Sequence, residues 1–108
     1  MSELVSKHCV PCEGGLDPLS HDETTKFMSQ VPEWMLSLDG LSISRSFKFS
    51  NYVTAIEFAN KLTPIAEAEG HHPDLFIGWG KVVVTLTTHA IKGLSENDFI
   101  LAAKIDEI

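Results

Sequence analysis

The sequence predicts a single α+β domain: one antiparallel four-stranded sheet with helices packed on one face, in the order α-β-β-α-β-β-α. Three observations carry that reading. The chain has 108 residues, enough for one domain with a real core. Two regions pair strand-like segments across a glycine-containing turn, and three others set a capping residue before apolar residues at helical spacing. Paired strands separated by helices make a sheet covered on one side.

Residues 1–18 are expected to form an irregular N-terminal arm, with the domain proper over residues 19–108. Pro11, Gly14, Gly15 and Pro18 interrupt the arm, and no period runs through it. Ser20 and Glu23 read as a capping box opening a short helix, with Phe27, Met28 and Val31 on one face and Pro32 as its stop. Residues 41–49 alternate: Leu41, Ile43, Phe47 and Phe49 face one way, Ser42, Ser44, Ser46 and Lys48 the other. Residues 34–38 are the expected hairpin partner, across an Asp39-Gly40 turn.

Ser50 is the N-cap candidate for the next helix, over residues 52–69, where Ala55, Phe58, Ala59, Leu62, Ile65 and Ala66 recur at helical spacing. Pro64 should kink this helix or divide it. Gly70 suits the left-handed residue that ends it, and Pro73 biases His72 toward an extended backbone. A second hairpin follows, with strands over residues 74–79 and 82–88 and a turn at Gly80-Lys81; its second strand is rich in β-branched residues. Ser95 and Asp98 then cap a last helix that turns Phe99, Ala102, Ala103 and Ile105 inward.

Hydrophobic residues make up 44% of the chain and charged ones 21%, as in globular domains. A formal net charge of -7 excludes a nucleic-acid backbone as a partner, since phosphate binding needs a basic face. No apolar run approaches the ~20 residues that span a bilayer, and residues 1–7 lack the basic and apolar regions of a secretory signal. No membrane partner and a cytoplasmic location are therefore expected. Cys9 and Cys12 have the Cys-x-x-Cys spacing of a redox pair or half a zinc site, but there is no second such motif. The reading taken is a reduced pair in the arm.

Five histidines occur, at 8, 21, 71, 72 and 89. If Gly80 and Lys81 form a two-residue turn, hairpin pairing joins positions summing to 161, which places His72 opposite His89. A one-residue slip would move His89 to the other face. Imidazoles converging at a sheet end can exchange protons near neutral pH. His71 lies just past a helix C-terminus, where the macrodipole favours a cation. Histidine is also a common metal ligand, and Glu67 and Glu69 lie within one helical turn, so the residues alone leave acid-base, metal and structural readings open.

Glu67, three residues, His71-His72-Pro73, five residues, Trp79, nine residues, His89, eight residues and Asp98 form a pattern over 32 residues that resembles the signature of pterin-4a-carbinolamine dehydratases. Phe47-Lys48-Phe49, Gly93-Leu94-Ser95 and the segment Cys9-Val10-Pro11-Cys12-Glu13-Gly14-Gly15 also resemble that family. The resemblance implies a lyase that dehydrates 4a-hydroxytetrahydropterin to quinonoid dihydropterin, recycling the pterin of an aromatic amino acid hydroxylase. It implies no metal and no organic cofactor. His71, His72 and His89 would be catalytic, with His71 and His89 as the acid-base pair and His72 chiefly holding the pterin. Substrate contacts would come from Gly70, His71 and His72, and from Thr87, Thr88, His89 and Ala90. Glu67, Pro73, Trp79 and Asp98 would support the site. Gly70 and Ala90 depart from the animal members, which carry carboxylates there. The family tends to homodimers and homotetramers, and some animal relatives serve as transcriptional dimerization cofactors. That gives a non-catalytic binding module as the alternative, with a metal-binding module third.

Overall fold

The computed structural model describes residues 3–9 and 17–108. Within them the predicted order holds: helix α1 (His21–Met28), strands β1 (Met35–Leu36) and β2 (Ile43–Lys48), helix α2 (Tyr52–Glu69), strands β3 (Asp74–Gly78) and β4 (Lys81–Leu86), and helix α3 (Glu96–Asp106). Short 3-10 turns form at Glu3–Ser6 and His89–Ile91. The four strands make one antiparallel sheet in the order β1-β2-β4-β3.

Register decides which face of the sheet is covered. Ile43 pairs with Leu86, Arg45 with Val84 and Phe47 with Val82, while Leu75 and Ile77 of β3 join the same rows. Ile43, Val82, Val84 and Leu86 are fully buried there against Ala55, Phe58, Leu62 and Ala66 of α2 and Phe99 and Ala102 of α3. The opposite face carries Ser46, Lys48 and Phe76, all exposed. Arg45 lies on the buried side, its guanidinium 4.5 Å above the Phe47 ring and 2.7 Å from Asp106 of α3. Leu41, expected on the inward face, is exposed, because it belongs to the β1–β2 turn rather than to the strand.

Local chemistry sets the helix ends. The capping box of α1 forms as expected, with the Glu23 amide donating to Ser20 Oγ and the Ser20 amide to Glu23 Oε1. The N-cap of α2 is Asn51 rather than Ser50: the carboxamide reaches the Thr54 amide at 2.8 Å, as an N-cap side chain should. Pro64 lies inside α2 without dividing it. Gly70 takes φ 63° and ψ 27°, its amide donates to Glu67 O and that of His71 to Ala66 O, which together are a Schellman closure.

The second hairpin corrects one expectation. Asp74 faces Thr85 and Gly78 faces Lys81, so paired positions sum to 159 and the turn residues are Trp79 and Gly80. Gly80 has φ 67°, a conformation that puts glycine at the second turn position instead of the first. A shift of two keeps every side chain on its expected face. It removes the direct pairing of His72 with His89, since β4 ends at Leu86 and His89 opens the 3-10 turn beyond it.

Both glycines sit at positive φ, but a Cβ on Gly70 would meet nothing within 4 Å, whereas one on Gly80 would lie 2.9 Å from Phe49 O. Gly70→Ala is expected to destabilise the protein by about 1 kcal/mol, the cost of the left-handed backbone alone, and Gly70→Asp by less. Gly80→Ala should cost clearly more than Gly70→Ala, since the Phe49 carbonyl must also shift. Urea denaturation of the three variants checks the order; equal losses for the two alanine variants would contradict it.

Candidate active site

The C-terminus of α2, the segment after β4 and the start of α3 meet around a cavity of about 440 Å³. Its lining includes Gly70, His71, His72, Thr87, Thr88, His89 and Ala90, every position expected to contact substrate. Three separate devices deliver them. The Schellman closure turns the chain out of α2 and sends His71 and His72 into the wall. The end of β4 delivers Thr87 and Thr88. The 3-10 turn carries His89 and Ala90, closed by Lys92 at φ 55° and by an antiparallel bridge between Thr88 and Gly93.

The three histidines are held differently. His71 Nε2 lies 2.6 Å from Asp98 Oδ1; the Asp98 side chain is wholly buried and that of His71 nearly so. Asp98 Oδ2 accepts from the Thr88 hydroxyl at 2.8 Å and from the Ser95 amide at 3.0 Å. An ionised Asp98 can only accept, which assigns the Nε2 hydrogen of His71 to this bond and leaves Nδ1 as the other ring nitrogen. His72 Nε2 is hydrogen-bonded to Glu67 Oε2, and both side chains are largely exposed. His89 is exposed and lines the same cavity.

The supporting residues divide. Asp98 is both the capping acid of α3 and the partner of His71, so its two readings merge in one carboxylate. Glu67 is hydrogen-bonded to His72. Pro73 is half-buried between His72 and β3 and does not line the cavity. Trp79 is in the turn at the other end of β3, 75% exposed; at ~3.3 Å per residue the strand carries it some 15–20 Å from the histidines.

Cys9, Ala68, Glu69 and Asn97 also line the cavity, and the sequence reading did not place them there. Helical position could have suggested Ala68 and Glu69, one turn before the histidines. Cys9 carries no such signal, since its approach is purely tertiary: its amide donates to Glu69 Oε1 at 2.7 Å and its thiol to Asn97 O at 3.6 Å. Burial, with the Glu69 charge beside it, pushes the Cys9 thiol up to about 12. Cys12, the other half of the motif, lies outside the described residues. Among the described residues no group of three or more His, Cys, Asp or Glu is placed to hold a metal ion, and no helix is long and apolar enough to cross a membrane.

Residues 17–108 match the family model for pterin 4 alpha carbinolamine dehydratase. The chain belongs to this family. Similar relatives carry the same name provisionally: one from Halorhodospira halophila is 50% identical over 105 residues, covering 97% of this chain and 96% of its own. Another, from Methylococcus capsulatus, is 49% identical and covers 97% and 92%. Among solved structures, a transcriptional coactivator/pterin dehydratase from Brucella melitensis superposes with a TM-score of 0.79 at 32% identity, over 84% of this chain and 97% of that one. The dehydratase family thus accounts for the fold.

A thiol raised to about 12 stays protonated at neutral pH and reacts slowly, because the thiolate is the nucleophile. In a Cys12→Ser background, Cys9 should be alkylated by iodoacetamide at pH 8 roughly a hundredfold more slowly than free cysteine. The rate should still be climbing above pH 10. Mass spectrometry over a time course reads both, and alkylation at the rate of free cysteine would contradict the buried, unreactive thiol.

Proposed function

We propose that this chain is a pterin-4a-carbinolamine dehydratase that works by histidine acid-base catalysis, with His71 and His89 moving protons and His72 holding the pterin ring. The observation that carries the reading is the convergence of three imidazoles on one cavity, one of them fixed by a buried carboxylate, in a chain of this family. The reaction breaks the C4a–O bond of 4a-hydroxytetrahydropterin. The hydroxyl leaves as water after receiving a proton, N5 loses its hydrogen, and a C4a–N5 double bond forms. One group must give a proton and one must take one, so the net proton count of the protein is unchanged. Two imidazoles lining one cavity suit that exchange, since an imidazole can both give and take a proton.

Asp98 acts through His71. It sets which ring nitrogen is turned to the substrate and keeps the ring from rotating, the service a buried acid renders to a catalytic histidine elsewhere. Glu67 does the same for His72 more loosely, since that pair is exposed. Gly70 and Ala90 leave the cavity without the two carboxylates of the animal members, so pterin binding here rests on the histidines and on Thr87 and Thr88. The Thr87 hydroxyl already donates to Leu41 O at 2.6 Å, which leaves its oxygen as an acceptor for a substrate N–H group, whereas the buried Thr88 hydroxyl is taken up by Asp98 and the Ser95 hydroxyl. Self-association as a homodimer or homotetramer belongs to the same proposal, supported by the exposed Met35, Phe76 and Trp79. The Brucella neighbour is described as a coactivator as well as a dehydratase; a binding module alone would have no use for three imidazoles in a cavity, which favours the enzyme.

Stopped-flow decay of the carbinolamine, corrected for its uncatalysed dehydration, tests the proposal. Wild-type protein should accelerate the decay, and EDTA should not abolish it, since the histidines serve as proton carriers. His89→Ala should lower kcat by about two orders of magnitude, within the range one positioned acid or base supplies. His72→Ala should chiefly raise KM, the mark of a group that binds ground and transition states alike. His21→Ala, on the exposed face of α1, should match the wild type. Near-normal kcat in His89→Ala, or activity lost to EDTA and restored by zinc, would overturn this mechanism.

A further inference from the structure

The reaction proposed above makes no use of Glu69, the last residue of α2, yet its side chain is only 6% exposed. A carboxylate that leaves water needs donors to replace it. Glu69 finds them on two other parts of the chain: Oε1 accepts the Cys9 amide at 2.7 Å, Oε2 lies 3.0 Å from His8 Nδ1, and Lys104 Nζ of α3 lies 3.8 Å away. Burial by itself would raise the carboxyl, but the Cys9 amide, His8 and Lys104 hold it below the usual carboxylate range. The same Lys104 ammonium donates to Val5 O at 2.8 Å, and Leu4 is buried in the core. Residues 4–9 are thus pinned at three points, and the last of them brings Cys9 into the cavity wall beside Asn97.

An apolar residue at position 69 could pack, but it could not fix the Cys9 backbone at a set distance and angle. We propose that Glu69 is a positioning residue: by clamping the Cys9 amide it holds the start of the N-terminal arm as one wall of the histidine cavity, and so sets how tightly the cavity holds its pterin. This inference rests on the dehydratase reading for its ligand, though not for the clamp itself. The clamp works on the wall and not on the proton-transfer groups, so its loss should weaken binding and spare the chemical step.

The test uses the full chain with Glu69→Ala and Glu69→Gln, reading KM, kcat, biopterin affinity by fluorescence and hydrogen exchange at the Cys9 amide. Glu69→Ala should raise KM and the biopterin Kd about tenfold, the equivalent of one charge-assisted hydrogen bond, with kcat within about twofold of wild type. Cys9 exchange should quicken by a similar factor. Glu69→Gln keeps an oxygen for the amide and should recover most of both. Should Glu69→Ala not fold, Cys9→Pro removes the donor hydrogen, with Cys9→Ala as the control for the lost thiol, and its KM should exceed that of Cys9→Ala by a comparable factor. Unaltered Cys9 exchange in Glu69→Ala, faster exchange with unchanged KM and Kd, or equal KM in Cys9→Pro and Cys9→Ala would each overturn the proposal. Absence of turnover in the wild type would instead count against the dehydratase reading, while exchange and biopterin affinity would still judge the clamp.

Discussion

The buried carboxylate of Asp98 is the constraint on which the site depends. It sits where three parts of the chain meet: the exit of α2 through His71, the end of β4 through Thr88, and the start of α3 through the Ser95 amide. Taking an ion out of water is costly unless its oxygens are filled, and here donors from all three parts fill them. The arrangement is therefore mutual. The carboxylate stays buried because the three segments converge, and the segments are held at fixed spacing because the carboxylate requires their donors. The cavity is the space left between them.

That constraint explains how a small domain with an ordinary core can carry a defined site. The sheet and helices bury Ile43, Val82, Val84, Leu86 and Phe99 to give a rigid body. Each histidine stands just past the end of an element of that body, where backbone closures rather than strand pairing set its direction. The Schellman turn at Gly70 aims His71 and His72, and the 3-10 turn closed by Lys92 aims His89. Glu69 adds a second carboxylate shielded from water, beside the turn, and its bond to the Cys9 amide ties residues 4–9 to the same cavity.

Much of this was legible in the sequence, and the parts that were not share a cause. The capping boxes at Ser20 and Ser95, the left-handed Gly70 and the two amphipathic periods are local signals, and each led to the right element. The choice between Ser50 and Asn51 turned on side-chain reach, which two adjacent capping residues do not reveal. Placing Gly80 first in its turn shifted the expected hairpin register by two residues; its positive φ, which a Trp79-Gly80-Lys81 run does not reveal, puts it second. The cavity residues came from the spaced motif, but Trp79, part of that same motif, is at the far end of β3. Asp98 could be recognised as a cap because Ser95 is three residues away. Its bond to His71 spans 27 residues and that of Glu69 to Cys9 spans 60, separations across which no local pattern operates.

If Asp98 fixes the His71 ring as proposed, Nδ1 is the nitrogen offered to a pterin. Long-range nitrogen–proton correlation NMR of the imidazole rings, recorded while biopterin is added, measures this most directly. His71 should carry its hydrogen on Nε2 in the free protein. On titration the largest nitrogen shift of that ring should fall on Nδ1, and Asp98→Asn should disturb the preference. A His71 ring protonated on Nδ1 alone, or one whose nitrogens do not respond to biopterin, would contradict it.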